Sequence, residues 1–328
     1  MRAWILPEPV GIDALQLVDL PEPSPDAGEA VLELDFAALN PADRYLAEKL
    51  YPAKPSWPHV LGRDGLGTVV AVGPGVTEVK VGDRRVILRS EIGVSRQGTF
   101  AQRVAVPVAS LATWPAGWSD EQAAGAPLVY LTAWQALTMW DLPAPTTVLI
   151  TGASGGVGVA AVQLASAMGH RVVAMSRSPE KRKRLQELGA AFTFDASEAR
   201  WSEQVREALG GRKVGLAIDN IGGDEFASMI DTLGGEGRVS VVGALAGPVP
   251  QFNTSTLLFR RIRVGGVAVG SYTPEQAQAA WRQIQAALER AGHQPVVDSV
   301  FPFAQLPQAF ARLAGGPMGK VVLRVREG

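Results

Sequence analysis

The chain has no cysteine. That excludes disulfides, thiolate nucleophiles and thiolate zinc sites. Histidine is nearly as scarce: only His59, His170 and His293 occur, none close to another, so no histidine-based metal motif can be drawn. No apolar run reaches the roughly 20 residues that span a bilayer, and the opening MRAWILPEPV lacks the apolar core of a signal peptide. A cytoplasmic protein is expected. An excess of either charge is missing too: 31 Lys and Arg face 32 Asp and Glu, a net charge of −1. Nothing in that balance attracts nucleic acid or an anionic membrane. What is present is an ordinary globular composition, 47% apolar and 19% charged, in 328 residues, long enough for two domains with real cores. Thirty-six glycines and 23 prolines point to many tight turns.

The chain is organised around residues 146–176. Val148-Leu149-Ile150 is a short apolar run that reads as a buried strand. Gly152-Ala153-Ser154-Gly155-Gly156-Val157-Gly158 follows with one bulky side chain. A helix is predicted over Val159–Met168 and a second strand over Arg171–Met175. Strand, glycine turn, helix, strand is a βαβ unit. Its turn leaves the first helical amides unpaired, with the positive end of the helix dipole behind them, a fit for a pyrophosphate. The G-x-G-x-x-G register falls on Ala153, Gly155 and Gly158, so its first glycine is an alanine. Gly155 still admits a phosphate to the backbone, and Gly158 still lets helix approach strand.

The same residues, Gly152 to Gly156, also spell G-x-S-x-G, the nucleophile elbow of a serine hydrolase, with Ser154 as nucleophile. His170 ends the adjacent helix, so His293 is the base that reading requires. No HGGG-like segment precedes the elbow.

Residues 1 to about 120 read as β-rich. Strands are predicted at Arg2–Leu6, Leu15–Leu20, Glu29–Phe36, Gly67–Val72, Arg85–Leu88 and Thr99–Val106, a pattern suited to a small barrel or sandwich. Asn40-Pro41-Ala42-Asp43 caps a short helix over Arg44–Leu50. Beyond 120, helix and strand alternate: helices at Ser178–Leu188, Ser197–Leu209 and Asp224–Leu233, strands at Ala191–Phe194, Val214–Ile218, Arg238–Val242 and Ile262–Val269. That is a parallel, doubly wound α/β arrangement. An amphipathic helix over Pro274–Ala291 and two strands, Val296–Phe303 and Lys320–Val325, close the chain. The last strands can return to the first domain.

Several motifs then combine: Asn40-Pro41-Ala42-Asp43, Leu61-Gly62-Arg63-Asp64-Gly65-Leu66-Gly67, Val81-Gly82-Asp83-Arg84, Thr132-Ala133-Trp134, the glycine turn, Asp219-Asn220-Ile221-Gly222-Gly223 and Gly319-Lys320-Val321-Val322-Leu323. In order and spacing the chain resembles the medium-chain dehydrogenase/reductases, in their zinc-free quinone oxidoreductase (zeta-crystallin-like) branch. The resemblance implies a GroES-like β-barrel catalytic domain, residues 1–122 with 271–328, and a Rossmann domain, 123–270. It places the active site in the cleft between them. In zinc-dependent relatives, cysteine, histidine and cysteine ligands fall where this chain has Asn40, Arg63 and roughly Leu128. Those side chains do not provide the three ligands a catalytic zinc needs. The chemistry left is hydride delivery to an acceptor that needs little activation, a quinone or an α,β-unsaturated carbonyl compound, with hydrogen-bond donors holding the developing oxyanion.

By the same resemblance Asn40 lies near nicotinamide and substrate, and Asp43 orients the loop. Arg44, Tyr45 and Arg63 are candidate oxyanion donors or substrate contacts. Asn40 as a plain helix cap, Arg63 with Asp64 as a structural ion pair, and Tyr130 as a core aromatic are the competing roles. Backbone at Ser154, Gly155, Gly156, Val157 and Gly158 takes the pyrophosphate. Thr132 matches a position near the nicotinamide ribose, Asn220 and the turn Gly243-Ala244 border the cofactor's two ends, and Lys320 matches a basic position that contacts the pyrophosphate. Roughly 20 residues past the glycines, where an NAD-binding carboxylate is usual, stand Ser176 and Arg177, then Lys181. Hydroxyl, guanidinium and ammonium suit a 2′-phosphate, so NADPH is the expected cofactor. A solvated helix face is the competing, lesser role for the Lys181–Arg184 run. Some relatives bind the cofactor without catalysis or bind RNA, which the near-zero charge disfavours here. A homodimer is expected, with the apolar Ile262–Val269 segment pairing edge to edge across a two-fold axis.

Overall fold

Thr147–Ile150 is a strand with every residue buried. Four apolar or β-branched residues with no polar face have to lie inside a sheet covered on both sides. In the computed structural model, which describes residues 1–88 and 91–326, that strand is central to a six-stranded parallel sheet. Its neighbours are Arg171–Met175 on one side and Val214–Asp219 on the other. Phe192–Phe194 completes one edge; Leu233–Val241 and then Arg263–Gly266 complete the other. Numbered along the chain within this sheet, the order is 3-2-1-4-5-6, so the direction of winding reverses between the strands ending at Ile150 and Asp219. Ligands of open α/β sheets bind beyond the strand carboxyl ends at such a reversal.

The chain divides into two units. One contains Val129–Val269 with Gln283–Gln294, and this sheet lies wholly within it. Leu149, Val173, Ala217 and Val239 form the middle of its core on one face, with Trp201, Val205, Phe226, Met229 and Ile230 packed from helices. Each fully buried aliphatic side chain contributes about 1.5–3 kcal/mol of transfer free energy.

The other unit contains Met1–Leu128, Gly270–Arg282 and the chain from Pro295 onward. A three-stranded antiparallel sheet (Gln16–Asp19, Arg2–Leu6, His59–Val60) joins a seven-stranded one whose longest strand is Glu29–Ala38. Both enclose one core, with Leu6, Leu32, Leu34, Val60, Phe100, Val104, Phe310 and Leu323 in it. The C-terminal strand Lys320–Arg324 does return to this unit: Val322 faces Ala38, Leu323 faces Ala37 and Arg324 faces Phe36, antiparallel. On the opposite flank of Glu29–Ala38, Asp64 faces Ala38. The expected α/β class, a β domain and a doubly wound parallel sheet, is the one observed.

Element edges differ from the sequence reading in instructive places. The helix after Asn40 runs Pro41–Ala47, not Arg44–Leu50, because proline fits the first helical position and begins the helix rather than preceding it. The helix after the glycine turn starts at Gly156, three residues early, since glycines in a first turn are poor propensity signals yet lose no helical bond there. The strand predicted at Thr99–Val106 is confined to Arg103–Pro107. The strand predicted from Arg238 begins at Leu233, directly after its helix, and the Ile262–Val269 strand shortens to Arg263–Gly266. A helix at Thr254–Arg260 was not anticipated; Asn253 caps it through Ser255 N–H at 2.9 Å. Among the described residues no helix is long and apolar enough to cross a membrane.

Candidate functional site

The glycine turn is built by exclusion of side chains. Gly152 has φ +56°, and a Cβ there would stand 2.8 Å from the Ile221 side chain. A Cβ on Gly158 would lie 2.4 Å from the Gly152 carbonyl oxygen and 2.6 Å from Ala153 backbone, so only glycine lets the helix start this close to the strand. Gly155 is different. It is the N-cap of the helix with φ −72°, and the nearest atom to a Cβ there is 3.5 Å away. Nothing within the protein demands glycine at 155; the space beside it is what an approaching phosphate needs. The Val159 amide is the first to close a helical bond, to the Gly155 carbonyl at 2.8 Å. The amides of Gly156, Val157 and Gly158 stand ahead of it at the positive end of a 12-residue helix.

The neighbouring turn is tied to this one. The Thr151 hydroxyl donates to Asp219 Oδ1 at 2.7 Å and accepts from the Asn220 amide at 2.9 Å. Asn220 Nδ2 donates to the Thr151 carbonyl at 2.8 Å. Asp219 carboxylate oxygens also accept from the amides of Ile221 and Gly222. The segment Gly243–Gly247 is bonded onto that turn: Gly243 N–H reaches the Asp219 carbonyl, Ala246 N–H the Ile221 carbonyl, and Gly223 N–H the Gly247 carbonyl. Asn220, Gly243 and Ala244 are therefore assembled beside the glycine turn's strand. The pairing of Thr151 with Asp219, which does the fastening, escaped the sequence reading because a Thr and an Asp 68 residues apart carry no local signature.

Ser176 ends the second strand, buried, with its amide on the Phe194 carbonyl at 3.0 Å. Arg177 is exposed and Lys181 half-buried. Ser178 Oγ caps the following helix through Lys181 N–H at 3.2 Å. Two acidic groups also stand here: Glu180 accepts from the Ser178 hydroxyl, and Glu225, whose carboxyl burial pushes up, is partly drawn back down by Arg177. Arg182 is committed to Asp195 and to the Ser176 and Arg177 carbonyls. Thr132 lies half-buried on the helix Pro127–Thr138. Tyr130 is a core aromatic whose hydroxyl donates to Gln163, and burial raises its pKa.

The serine hydrolase alternative fails on distance. Ser154 follows the carboxyl end of strand Thr147–Ile150, whereas His170 Nδ1 accepts from Thr146 N–H at that strand's other end. His293 stands by Gly189, which touches Ser166 at the far end of the Gly156–Ala167 helix. Twelve helical residues are about 18 Å long, so neither histidine downstream reaches Ser154.

In the other unit, sheet register gathers a buried polar cluster. Val322 faces Ala38, and two steps further on Lys320 comes opposite Asn40; Asp64 arrives from the other flank. Lys320 Nζ donates to the Leu39 carbonyl at 2.9 Å, Asn40 Oδ1 at 2.7 Å and Asp64 Oδ2 at 3.0 Å. Asn40 Nδ2 donates to Asp64 Oδ2 at 2.9 Å. Asp64 Oδ1 accepts from Leu128 N–H at 3.1 Å. Asn40 occupies the helix N-cap in a capping box with Asp43, whose Oδ2 accepts from Asn40 N–H at 2.8 Å, so it is a helix cap as well as a member of this cluster. The Arg63–Asp64 pair is corrected: Asp64 is partnered by Lys320, and Arg63 Nε lies 3.7 Å from Asp43 Oδ1. The expected contact of Lys320 with a pyrophosphate does not fit this arrangement, because an ammonium has three donors and all three are used.

Arg63 donates from Nη1 to the Tyr51 hydroxyl at 3.1 Å and stacks 4.3 Å from that ring's centre. Its Nε and Nη2, and Asp43 Oδ1, are buried without hydrogen-bond partners. Burial drives the Asp43 carboxyl up to about 6, against the opposing pull of Arg63. Tyr45, two residues further along, is half-buried, and burial raises its phenol as well. Arg44 belongs to no such cluster; it forms an exposed pair with Glu48 at 2.6 Å. Among the described residues no group of three His, Asp or Glu side chains is placed to hold a metal ion.

A parallel sheet of this strand order, with an open glycine turn at its reversal, is the architecture of a dinucleotide-dependent enzyme. Comparison with known proteins agrees. An alcohol dehydrogenase GroES-like domain model matches residues 26–116, and a zinc-binding dehydrogenase model matches 156–299. Quinone oxidoreductase of Rattus norvegicus is 30% identical over 329 residues, covering 98% of this chain and 97% of that one. Phthioceranic/hydroxyphthioceranic acid synthase of Mycobacterium tuberculosis is 32% identical over 214 residues, 65% of this chain; the matched region spans about a tenth of that far longer protein. Among solved structures, the quinone oxidoreductase of Thermus thermophilus, determined also with NADPH, is 34% identical with a TM-score of 0.81, covering 99% of this chain and 100% of that one. The chain belongs to the medium-chain dehydrogenase/reductase family.

The two glycines are expected to separate on substitution. Gly155→Ala keeps its melting temperature but loses dinucleotide affinity in calorimetry. Gly158→Ala loses about 1–3 kcal/mol of stability from overpacking against backbone. Asp43 sets a pH signature. Its folded pKa of about 6 lies above the ordinary 3.8, so between those values the folded chain holds a proton the unfolded chain has released. Stability therefore falls as pH rises through that window, by about 3 kcal/mol in all. Urea titrations at pH 4 and pH 7 should show this loss in the wild type and not in Asp43→Asn.

Proposed function

We propose that this chain transfers hydride from NADPH to a quinone or an α,β-unsaturated carbonyl compound, without zinc. The observation that carries the reading is the open turn at Gly155, Gly156, Val157 and Gly158, where backbone amides and the helix dipole converge at the reversal of the sheet. When bound, the nicotinamide supplies the hydride. The protein contributes placement. The backbone from Ser154 to Gly158, with the open amides of Gly156, Val157 and Gly158, receives the diphosphate, Thr132, Asn220, Gly243 and Ala244 border the cofactor, and Ser176, Arg177 and Lys181 meet the 2′-phosphate. Asn40 presents its carboxamide to the reacting groups, and Arg63 and Tyr45 donate to the acceptor's oxygen. Asp43 holds the Asn40 backbone. An acceptor whose negative charge is delocalised needs little more than such donors. The likeness to quinone oxidoreductases along nearly the whole chain supports this choice of acceptor.

Among the described residues Arg263–Gly266 is an edge strand of the sheet, and exposed apolar residues surround it in sequence: Leu245, Val249, Leu258, Phe259 and Val264. Phe259 is 83% exposed, a large cost for a monomer in water. We read this face as the contact of a homodimer.

Oxidation of NADPH with a panel of 1,4-benzoquinones and enones tests the activity; tight NADPH binding with no turnover of any acceptor would defeat it. Arg177→Ala is expected to raise the NADPH KM about 10–100-fold, the loss of one charge-assisted contact, and to leave the NADH KM nearly unchanged. Light scattering should report a dimer for the wild type and a monomer for Phe259→Asp; a monomeric wild type refutes the contact.

A further inference from the structure

Lys320 uses all the donors of its ammonium. It is 5% exposed, and its three donors meet the oxygens of Leu39, Asn40 and Asp64 at 2.7–3.0 Å. Its stem passes Gly125 so closely that a Cβ there would stand 3.1 Å from Lys320 Cβ and 3.2 Å from Cγ. Ammonium position is therefore fixed both by its acceptors and by the path of the chain leading to it.

The consequence falls on Asn40. Its Oδ1 receives Lys320 and its Nδ2 donates to Asp64, so the carboxamide is held at both ends. Rotating the amide by half a turn would set its NH2 against the ammonium and its carbonyl against the carboxylate. An amide nitrogen has two donors. Asp64 takes one, which fixes the direction of the other. Were Lys320 to leave for a phosphate, Asp64, with no exposed surface, would be left buried without its paired ammonium, a strongly unfavourable state.

We propose that Lys320 is a positioning residue, a resident cation that fixes the Asn40 carboxamide together with Asp64 and acts on hydride transfer through Asn40, not through the cofactor's diphosphate. The inference rests on the reductase reading above, in which Asn40 meets the reacting groups.

The test is steady-state kinetics with a benzoquinone that the wild type reduces, with NADPH calorimetry, on Lys320→Met, Asn40→Ala and the double variant Lys320→Met/Asn40→Ala. Lys320→Met is expected to lower kcat by ~10-fold or more, the scale of a misplaced contact, while the NADPH Kd stays within about two-fold. The double variant should be no slower than Asn40→Ala alone, because both substitutions remove one function. Lys320→Met leaves the Asp64 charge uncompensated and can fail to fold. Lys320→Met/Asp64→Asn removes both charges, and the same kcat loss with an intact Kd is expected of it. A tenfold or greater rise in NADPH Kd in either Lys320 variant, or kcat losses that multiply with Asn40→Ala, overturns the proposal. Turnover of Asn40→Ala at the wild-type rate removes the reading of Asn40 on which the proposal stands, a result distinct from both.

Discussion

One missing side chain governs the parallel sheet and what it can bind. At Gly158 a Cβ would stand 2.4 Å from a carbonyl oxygen of the preceding turn. The helix Gly156–Ala167 therefore begins hard against the end of strand Thr147–Ile150, with its open amides directed beyond the sheet. The reversal of strand order puts Val214–Asp219 beside that same strand, so the Asp219–Gly223 turn lies next to the glycine turn and is fastened to it through Thr151. Close approach, open helix amides and turn alignment are consequences of the same packing.

In the other unit two acid–base pairs stand in one buried neighbourhood and differ in completeness. Asp64 and Lys320 satisfy each other and their surroundings, with Asn40, Leu39 and Leu128 taking the remaining bonds. Asp43 and Arg63 do not: 3.7 Å separates them, and each keeps buried atoms unpartnered. An unsatisfied buried donor or acceptor costs about 1–3 kcal/mol. A finished pair rigidifies; an unfinished one retains hydrogen-bonding capacity that a substrate oxygen or a proton can use. The upward push on the Asp43 carboxyl has the same origin, because burial without full compensation disfavours its charge.

Much of this was legible in the residues. The alternation in Glu29–Phe36, the apolar run at 148–150 and the amphipathic pattern of Pro274–Ala291 appear as the elements they suggested, since period and burial are set locally. Elements went astray where local preference was outvoted. Helix Thr254–Arg260 carries Leu258 and Phe259 outward, so no inward apolar stripe announces it. The long strand Leu233–Val241 begins in Gly234-Gly235-Glu236-Gly237, residues that read as a turn. At the site, Asn40 is the cap the residues suggested, whereas Arg63, read as a partner for its neighbour Asp64, turns to Asp43. Adjacency in sequence proved a poor guide: Asp64 opens the strand Asp64–Val72 and Arg63 lies just before it, so the two meet different partners.

The sequence by itself determined the order of the elements, the glycine turn and the absence of thiolate chemistry, all of which depend on a residue's type and its near neighbours. Tertiary structure decided who meets whom. Lys320 lies 256 positions from Asp64, and only the antiparallel register of Lys320–Arg324 on Glu29–Ala38 brings its ammonium to that carboxylate. Register follows from how whole faces bury, and shifting it by one residue would turn every side chain of the strand to the other side. No short stretch of sequence contains that information.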